Sequence, residues 1–151
     1  MKSRIPSWIG FIIAFAALAT PGLASTTWYV NGVSGSDSNN CMSSLAACKT
    51  IGRAISLAAS DDSINVAAAT YTERLAIGFS LIILGSGPTT IIDGGGVGTV
   101  VTISSGAHVT LLEVTIRHGY ASAGGGINNS GTLLISANAL MGNQGPSQLR
   151  N

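Results

Sequence analysis

Short apolar runs separated by glycine-rich turns fill the chain from Ser80 to Asn143. The runs are rich in Val, Ile, Leu and Thr, and Gly, Ser or Asn stands between one run and the next. This pattern is typical of β-strands joined by tight corners, because branched side chains suit strands and glycine permits sharp turns. The runs are Leu81–Leu84, Ile91–Ile92, Val100–Ile103, Val109–Leu112, Val114–Ile116 and Leu133–Ile135.

The apolar positions recur at a spacing of 24 residues. Ile92 is followed at this spacing by Ile116 and then Leu140. A fixed period of apolar positions indicates stacked coils, and insertions at corners disturb the register of such arrays. We therefore predict a β-solenoid of about three coils. The spacing also relates Ile77 to Val101, Ile103 to Ile127, Val109 to Leu133, Leu111 to Ile135, and Gly95 to Gly119 and Asn143, whereas Leu84 reaches Val109 at 25 residues.

A short amphipathic helix is predicted ahead of the solenoid. Thr50 can cap its N-terminus, and apolar residues at i, i+3, i+4 and i+7 from Ile51 share one face. A helix over Ile51–Ala59 suits a lid on the first coil, whose core and strand edges would otherwise be open. No second amphipathic segment follows the last coil. We therefore expect a chain that is truncated or frameshifted at its C-terminus, or one that associates end to end through its uncapped C-terminal coil.

The first 24 residues have the pattern of a secretory signal peptide. Lys2 and Arg4 precede an apolar stretch from Ile9 to Ala19, and Gly22-Leu23-Ala24 supplies small residues for cleavage. The stretch is short for a membrane span, and an uncleaved anchor is the alternative. We predict a secreted or cell-surface protein without a stable membrane span after cleavage. The predicted organisation is a signal peptide in 1–24, an N-terminal strand, cysteine loop and capping helix in 25–63, coils in 64–143, and an irregular tail in 144–151.

Composition and charge limit the partners. Hydrophobic residues make up 46% of the chain and charged residues 9%, which fits a repetitive sheet protein and not a disordered chain. Loss of Lys2 and Arg4 leaves five basic residues against six acidic ones, a net charge of −1. Because no basic stripe remains, we expect neither nucleic acid nor an anionic membrane surface as a partner.

Cys41 and Cys48 are the two cysteines of the sequence. An even count in an exported protein permits one disulfide. A metal site would need further ligands nearby, and the spacing excludes a Cys-x-x-Cys redox motif. We predict a disulfide across this loop, worth about 2 kcal/mol because the loop is short.

Motifs along the mature chain carry a family resemblance. The first are Trp28-Tyr29-Val30, Gly35 to Asn39, Lys49-Thr50-Ile51, Ile64-Asn65-Val66 and Thr70 to Glu73, with the two cysteines ahead of Lys49. Together they resemble the N-terminal region of secreted right-handed parallel β-helix proteins with the pectin-lyase-like fold. Further on, Gly124 to Ile127 with Leu140 to Asn143 is similar to the repeat of the polymorphic outer-membrane proteins, with Leu140 in place of an aromatic residue.

The resemblance implies an all-β fold, a right-handed parallel β-helix over nearly the whole mature chain. It implies no single activity, because this fold hosts pectate and pectin lyases, polygalacturonases and many non-enzymatic surface proteins. The family has glycine before its Thr-Tyr pair, whereas this chain has Ala69. If that position needed a positive φ, the corner would be strained.

One carboxylate and one arginine align at the 24-residue spacing. Asp93, Arg117 and Met141 form a column, and His118 follows the arginine. Lyases of this fold use clustered carboxylates for calcium together with a basic residue, and hydrolases use paired carboxylates. Asp93, Arg117 and His118 are therefore the catalytic candidates, and a cross-coil salt bridge at an exposed corner is the favoured interpretation.

Other polar residues give weaker signals. His108 and His118 fit no zinc spacing, and both are expected to be solvated. Asp37 is expected in a local Asx turn, and Glu73 on a solvated face. Asn128 begins an Asn-Asn-Ser sequon, which is a glycosylation site only in a host that glycosylates. We predict no metal and no cofactor, with calcium entering only for a lyase.

The function expected from the sequence is structural, adhesive or glycan-contacting, in a module without catalysis. Its partners would be polysaccharides or cell-surface components. The alternative is a fragment of a pectate-lyase-like polysaccharide lyase or hydrolase.

Overall fold

The computed structural model describes residues 24–145, together with the backbone of Leu149–Arg150. The predicted signal peptide lies outside the described residues except for Ala24. Nearly all of the regular structure is β-strand, and three parallel sheets form a β-solenoid of about three turns. This confirms the predicted fold class.

Apart from a first strand that is added to one sheet, the strands form three full turns and a shorter C-terminal one, and each turn contributes one strand to each of three sheets. Sheet 1 has the order β1-β2-β5-β8-β11, sheet 2 the order β3-β6-β9-β12, and sheet 3 the order β4-β7-β10-β13. The strands are β1 (Thr27–Val30), β2 (Asp62–Val66), β3 (Ala69–Thr72), β4 (Leu75–Ile77), β5 (Leu81–Leu84), β6 (Thr90–Asp93), β7 (Val101–Ile103), β8 (His108–Leu112), β9 (Thr115–Arg117), β10 (Ile127–Asn129), β11 (Thr132–Ser136), β12 (Ala139–Met141) and β13 (Leu149–Arg150).

Alternating burial along the strands produces the core. In β5, Leu81 and Ile83 are buried while Ile82 and Leu84 face outward, because successive side chains of a strand point to opposite faces. Like residues then stack from coil to coil, and Ile83 lies between Ile64 and Leu111. The interior is thus a column of aliphatic side chains whose burial drives the stacking.

The 24-residue register is correct for the later coils. Ile92, Ile116 and Leu140 are in register, and so are Val109 and Leu133. Three predicted pairs are wrong, because the corner segments differ in length. Ile77 pairs with Ile103, Ile127 pairs with Val101, and Leu84 pairs with Leu112.

A helix and a disulfide-bonded loop lie at the N-terminal end. Helix α1 spans Ile51–Leu57, close to the prediction, and Thr50 caps it by accepting a hydrogen bond from the Arg53 amide. Its apolar face buries Ile51 and Ala54 in the core. A 3-10 helix, Ser44–Ala46, lies in the loop between the cysteines. Ala69 lies in β3 without a positive φ, so the strain considered for that corner does not arise.

The C-terminal end of the solenoid is less buried than the N-terminal end. Strand β11 has exposed or half-buried residues throughout, whereas its neighbour β8 buries Val109 and Leu111. Within the segment predicted to be an irregular tail, Leu149–Arg150 forms β13 and pairs with β10. None of the helices in the described part of the chain is long and apolar enough to span a membrane.

Candidate functional site

Asp93 and Arg117 lie side by side on sheet 2. Each is the last residue of its strand, and the register of β6 with β9 places them opposite one another. Met141 follows in the same column on β12. The 24-residue period therefore brings together the pair that the sequence singled out.

The Asp93 carboxylate is almost fully occupied by neighbours within the protein. Its Oδ1 accepts a 2.9 Å hydrogen bond from the Gly95 amide, and its Oδ2 accepts one of 2.8 Å from Arg117 Nε. His118 Nδ1 lies 3.1 Å from Oδ2 and 3.2 Å from Oδ1. Because the Asp93 side chain is only 11% exposed, few directions remain for an outside ligand.

Hydrogen bonding sets the charge state of Asp93. Burial alone would raise the pKa of its carboxyl, but the Gly95 amide and the side chains of Arg117 and His118 together hold that pKa below its usual value. The carboxylate is therefore ionised at neutral pH, a state that suits an ion pair and not a general acid.

His118 is held in a left-handed backbone conformation, with φ of 54°. Its carbonyl accepts a 2.7 Å hydrogen bond from the Gly96 amide, which ties the corner to the preceding coil. A non-glycine residue in this conformation costs free energy that surrounding contacts must offset. The contact with Asp93 is one such contact, so the histidine is part of the corner.

A surface groove of about 790 Å³ runs beside Asp93. It lies between the ends of sheet 2 strands and the starts of sheet 3 strands, and Thr72, Arg74, Thr99 and Thr102 line it together with Asp93. The Gly94–Val100 corner forms one wall, where the Val97 side chain is 60% exposed. The groove is thus open, and it combines neutral side chains with three charged residues, Glu73, Arg74 and Asp93.

Of the three charged residues that line this groove, Asp93 and Glu73 accept hydrogen bonds from the protein, and Arg74 is the one without a partner among the described residues. Its side chain is exposed, and within residues 24–145 it has neither a hydrogen-bond nor an ion-pair partner. The stem packs over Gly98, where a Cβ atom would come within 2.8 Å of Arg74 Nη1. Gly98 also has a φ of 66°, a left-handed backbone conformation that favours glycine there.

Two further carboxylates, those of Glu73 and Asp37, accept hydrogen bonds from within the protein. Glu73 does not lie on a solvated face as expected, because its carboxylate accepts hydrogen bonds of 2.9 and 2.8 Å from the Ile51 and Gly52 amides and caps α1. Asp37 does not form the expected Asx turn. It reaches across the loop and accepts bonds from the amides of Lys49 and Thr50 and from the Thr50 hydroxyl.

Asp62 fixes β1 and the end of α1 to the solenoid. Its carboxylate accepts hydrogen bonds from the Thr26 amide at 2.7 Å, from Trp28 Nε1 at 2.8 Å and from the Ala59 amide at 2.8 Å. Burial raises the pKa of Asp62, but these donors lower it further than burial raises it. The carboxylate is a structural clamp.

The remaining predicted sites lie apart from the groove. Cys41 and Cys48 form a disulfide with Cα atoms 5.0 Å apart, in the N-terminal loop. Asn128 is half-buried on β10, and its glycosylation stays a prediction. His108 is exposed at the start of β8. In the part of the chain that the structure describes, no three His, Cys, Asp or Glu side chains are grouped as metal ligands.

Two features were missed by the sequence reasoning. Arg74 carried no signal, because it lies in a short corner outside the repeat. Asn138 was also missed, although it bridges two coils by accepting a hydrogen bond from the Val114 amide and donating one to the Leu111 carbonyl. Its 24-residue spacing from Val114 was a usable signal.

The chain matches no protein-family profile and no curated protein.

Proposed function

We propose that this protein is a secreted or surface-associated β-solenoid module that contacts glycans and does not catalyse their cleavage. The observation that carries the proposal is the contrast between two neighbouring groups. The Asp93 carboxylate is taken up by Arg117, His118 and Gly95, whereas Arg74 offers a free guanidinium in the open groove beside it.

The chemistry of the groove fits an extended oligosaccharide. The hydroxyls of Thr72, Thr99 and Thr102 have no hydrogen-bond partner among the described residues, so they are available to sugar hydroxyls. The Val97 side chain supplies an apolar contact for a sugar ring. A shallow groove on a rigid stack of sheets suits a chain-like ligand held by many modest contacts.

Arg74 gives this groove a preference among glycans. A guanidinium binds a carboxylate through two parallel hydrogen bonds, and a neutral sugar offers no such partner. The protein would therefore bind a uronic-acid-bearing oligosaccharide better than its neutral counterpart.

The state of Asp93 supports a role without catalysis. A general acid needs a raised pKa and a general base needs a free lone pair near the substrate, and Asp93 has a lowered pKa and occupied oxygens. Arg117 is committed to the same ion pair, with its side chain 33% exposed. This pair stabilises the corner between two coils.

The secreted location and the family assignment belong to the same proposal. The basic and apolar pattern of residues 1–24 supports export. The Cys41–Cys48 disulfide supports an oxidising compartment. The parallel solenoid with an N-terminal helix supports the resemblance to pectin-lyase-like β-helix proteins.

A fragment of a polysaccharide lyase is the second candidate. The observation that favours it is the position of Asp93 on the wall of the groove, close to Arg74. In that case a polyuronate bound in the groove would be cleaved with added calcium, and the product would be unsaturated.

Calorimetric titration with a uronic-acid oligosaccharide and its neutral counterpart tests the glycan role. We expect the acidic ligand to bind more tightly, and Arg74→Gln to weaken it about tenfold or more. The matched control is Arg53→Gln, which removes an exposed arginine of α1 outside the groove. Equal affinity of the wild type and Arg74→Gln for the acidic ligand would contradict the proposal that this groove binds glycans.

A further inference from the structure

A second cavity, of about 250 Å³, lies beside the Arg74 groove at the same corner of the solenoid. Gly94 and Val97 line the groove. Gly95 and Gly96, which lie between those two residues in the chain, line the second cavity. The groove and the cavity therefore share one wall, and a chain-like ligand can pass from one into the other. The other residues that line the second cavity are His118, Gly119, Tyr120, Gly142 and Gln144.

Tyr120 is exposed at the side of the solenoid. Its backbone is held on both sides, because its amide donates a 2.8 Å hydrogen bond to the Gly98 carbonyl and the residue pairs with Gln144 of the next coil. Tyr120 is nevertheless 62% exposed, so its exposure is lateral and does not arise from an open strand edge. Its hydroxyl has no hydrogen-bond partner among the described residues. The cavity thus contains an aromatic face together with a free polar group.

The wall opposite the side chains is bare backbone. A Cβ atom built on Gly96 would meet no atom within 4 Å, so the space above this glycine is open. A flat ligand can therefore lie close to the main chain of the corner while it contacts the Tyr120 ring.

Asp93 orients His118 so that one ring nitrogen is available at the cavity. The ionised Asp93 carboxylate can only accept, so the neutral imidazole carries its proton on Nδ1, which lies 3.1 Å from Oδ2. Nε2 is then a hydrogen-bond acceptor. A Cβ atom built on Gly142 would lie 3.8 Å from Nε2, which places this nitrogen at the cavity wall. Asp93 is therefore a positioning residue for His118.

We propose that this cavity is a second sugar subsite, in which a pyranose ring stacks on Tyr120 and its hydroxyls bond to His118 Nε2 and the Gln144 carboxamide. The Gln144 side chain is exposed and has no hydrogen-bond partner among the described residues, and a carboxamide both donates and accepts, as a sugar hydroxyl does. The volume lies below the roughly 300–1,000 Å³ of sites for drug-sized ligands, and it suits about one sugar ring.

This inference rests on the proposed glycan role and extends it. The Arg74 guanidinium binds the carboxylate of an acidic sugar in the groove, and the oligosaccharide continues around the shared wall to Tyr120. The two contacts are made by different residues, so each can be removed without the other.

Calorimetric titration of the full chain with the hexasaccharide of galacturonic acid tests the subsite. Tyr120→Ala removes the stacking face and is expected to raise the dissociation constant about tenfold. Tyr120→Phe restores the ring and is expected to recover most of the lost affinity. The control is Ile82→Ala, on the outer face of β5, which lines neither the groove nor the cavity and should bind as the wild type does.

Gln144→Ala keeps the test decisive if Tyr120→Ala fails to fold, and it is expected to weaken binding about threefold or more. Wild-type affinity in the folded Tyr120→Ala and Gln144→Ala variants would overturn the subsite. If Arg74→Gln still weakened binding in that case, the glycan role would stand and the subsite alone would fail. A loss in Tyr120→Ala without a loss in Arg74→Gln would support the subsite and contradict the groove. A wild type that does not bind the hexasaccharide would overturn both.

Discussion

Asn143 lies one coil beyond Gly119, and its Oδ1 atom accepts a 2.8 Å hydrogen bond from the Gly119 amide. Its Nδ2 donates at 3.0 Å to the Ile116 carbonyl, so a single side chain satisfies a donor and an acceptor of the preceding coil. The Asn143 residue is only 5% exposed. The amide therefore takes the place of backbone pairing at a corner where the strands have ended.

Replacing Asn143 with leucine should destabilise the stack. Asn143→Leu keeps the side-chain volume but leaves the Gly119 amide and the Ile116 carbonyl without partners, at a cost of about 2–4 kcal/mol in the free energy of unfolding. Urea denaturation measures this change. The control is Asn128→Leu, at a half-buried side chain without a hydrogen bond to any described residue, where we expect less than about 0.5 kcal/mol. Equal losses in the two variants would argue against the bridging role.

The lowered pKa values of three aspartates predict that the folded protein is less stable in acid. Asp37, Asp62 and Asp93 each have a pKa lowered in the folded protein, in spite of burial, by the hydrogen bonds they accept. A carboxyl whose folded pKa lies below the unfolded value of about 3.9 stabilises the fold above that pH, and this contribution is lost as the pH falls through the folded pKa. We expect the free energy of unfolding to fall below about pH 4.

Asp62→Asn should reduce that acid sensitivity. The variant loses stability at pH 7, and its free energy of unfolding should decline less steeply below about pH 4. Fluorescence of Trp28, which donates to Asp62, provides the readout of unfolding. Asp61→Asn serves as the control, because Asp61 is exposed and its left-handed backbone, with φ of 70°, also suits asparagine. If the free energy of unfolding of Asp62→Asn fell with pH as steeply as that of the wild type, Asp62 would not be a source of the acid sensitivity.

Glu73 should stabilise the N-terminal helix. Its carboxylate accepts hydrogen bonds from the first two amides of α1, a favourable position because helix N-termini bind negative charge. Glu73→Gln removes the charge and one acceptor oxygen, so we expect a loss of about 1 kcal/mol by chemical denaturation. Glu113→Gln, at an exposed corner, is the control and should be nearly neutral. If the two substitutions cost the same, Glu73 does not act as a cap.

Replacing Ala137 with glycine should stabilise the folded protein. It has a φ of 54° at an exposed corner, where an L-residue pays about 1–2 kcal/mol. Because glycine also loses more chain entropy on folding, we expect Ala137→Gly to gain about 0.5–1 kcal/mol in the free energy of unfolding. Ala59→Gly, at an exposed position without a positive φ, should instead lose stability. A loss in both variants would contradict the strained-corner interpretation.

The strands of the solenoid were predictable because they depend on local patterns. The predicted run Leu81–Leu84 coincides with β5, since alternation and branched residues are written into the segment itself. The register was predictable only where corners keep a constant length. Two residues join β3 to β4 whereas Gly94–Val100 joins β6 to β7, and such insertions loop outward without changing the stack. Sequence spacing therefore failed in sheet 3.

The pairing of Asp93 with Arg117 was predictable from the 24-residue spacing, whereas the other contacts of the candidate site were not. Asp93 and Arg117 end strands in the sheet with a regular 24-residue register, so their ion pair followed from the spacing. The contact of Glu73 with α1 joins a corner to a helix more than 20 residues away, outside any repeat. Arg74 is exposed in the groove through packing on Gly98, which no periodicity encodes.

The central claim is that this solenoid contacts glycans without cleaving them. Its most direct test is the appearance of unsaturated product, followed by absorbance, when the full chain is incubated with a polyuronate and calcium. The account predicts no product above that of a buffer control. Product that forms with the wild type and is lost in a folded Arg117→Ala variant would contradict it and establish the lyase instead.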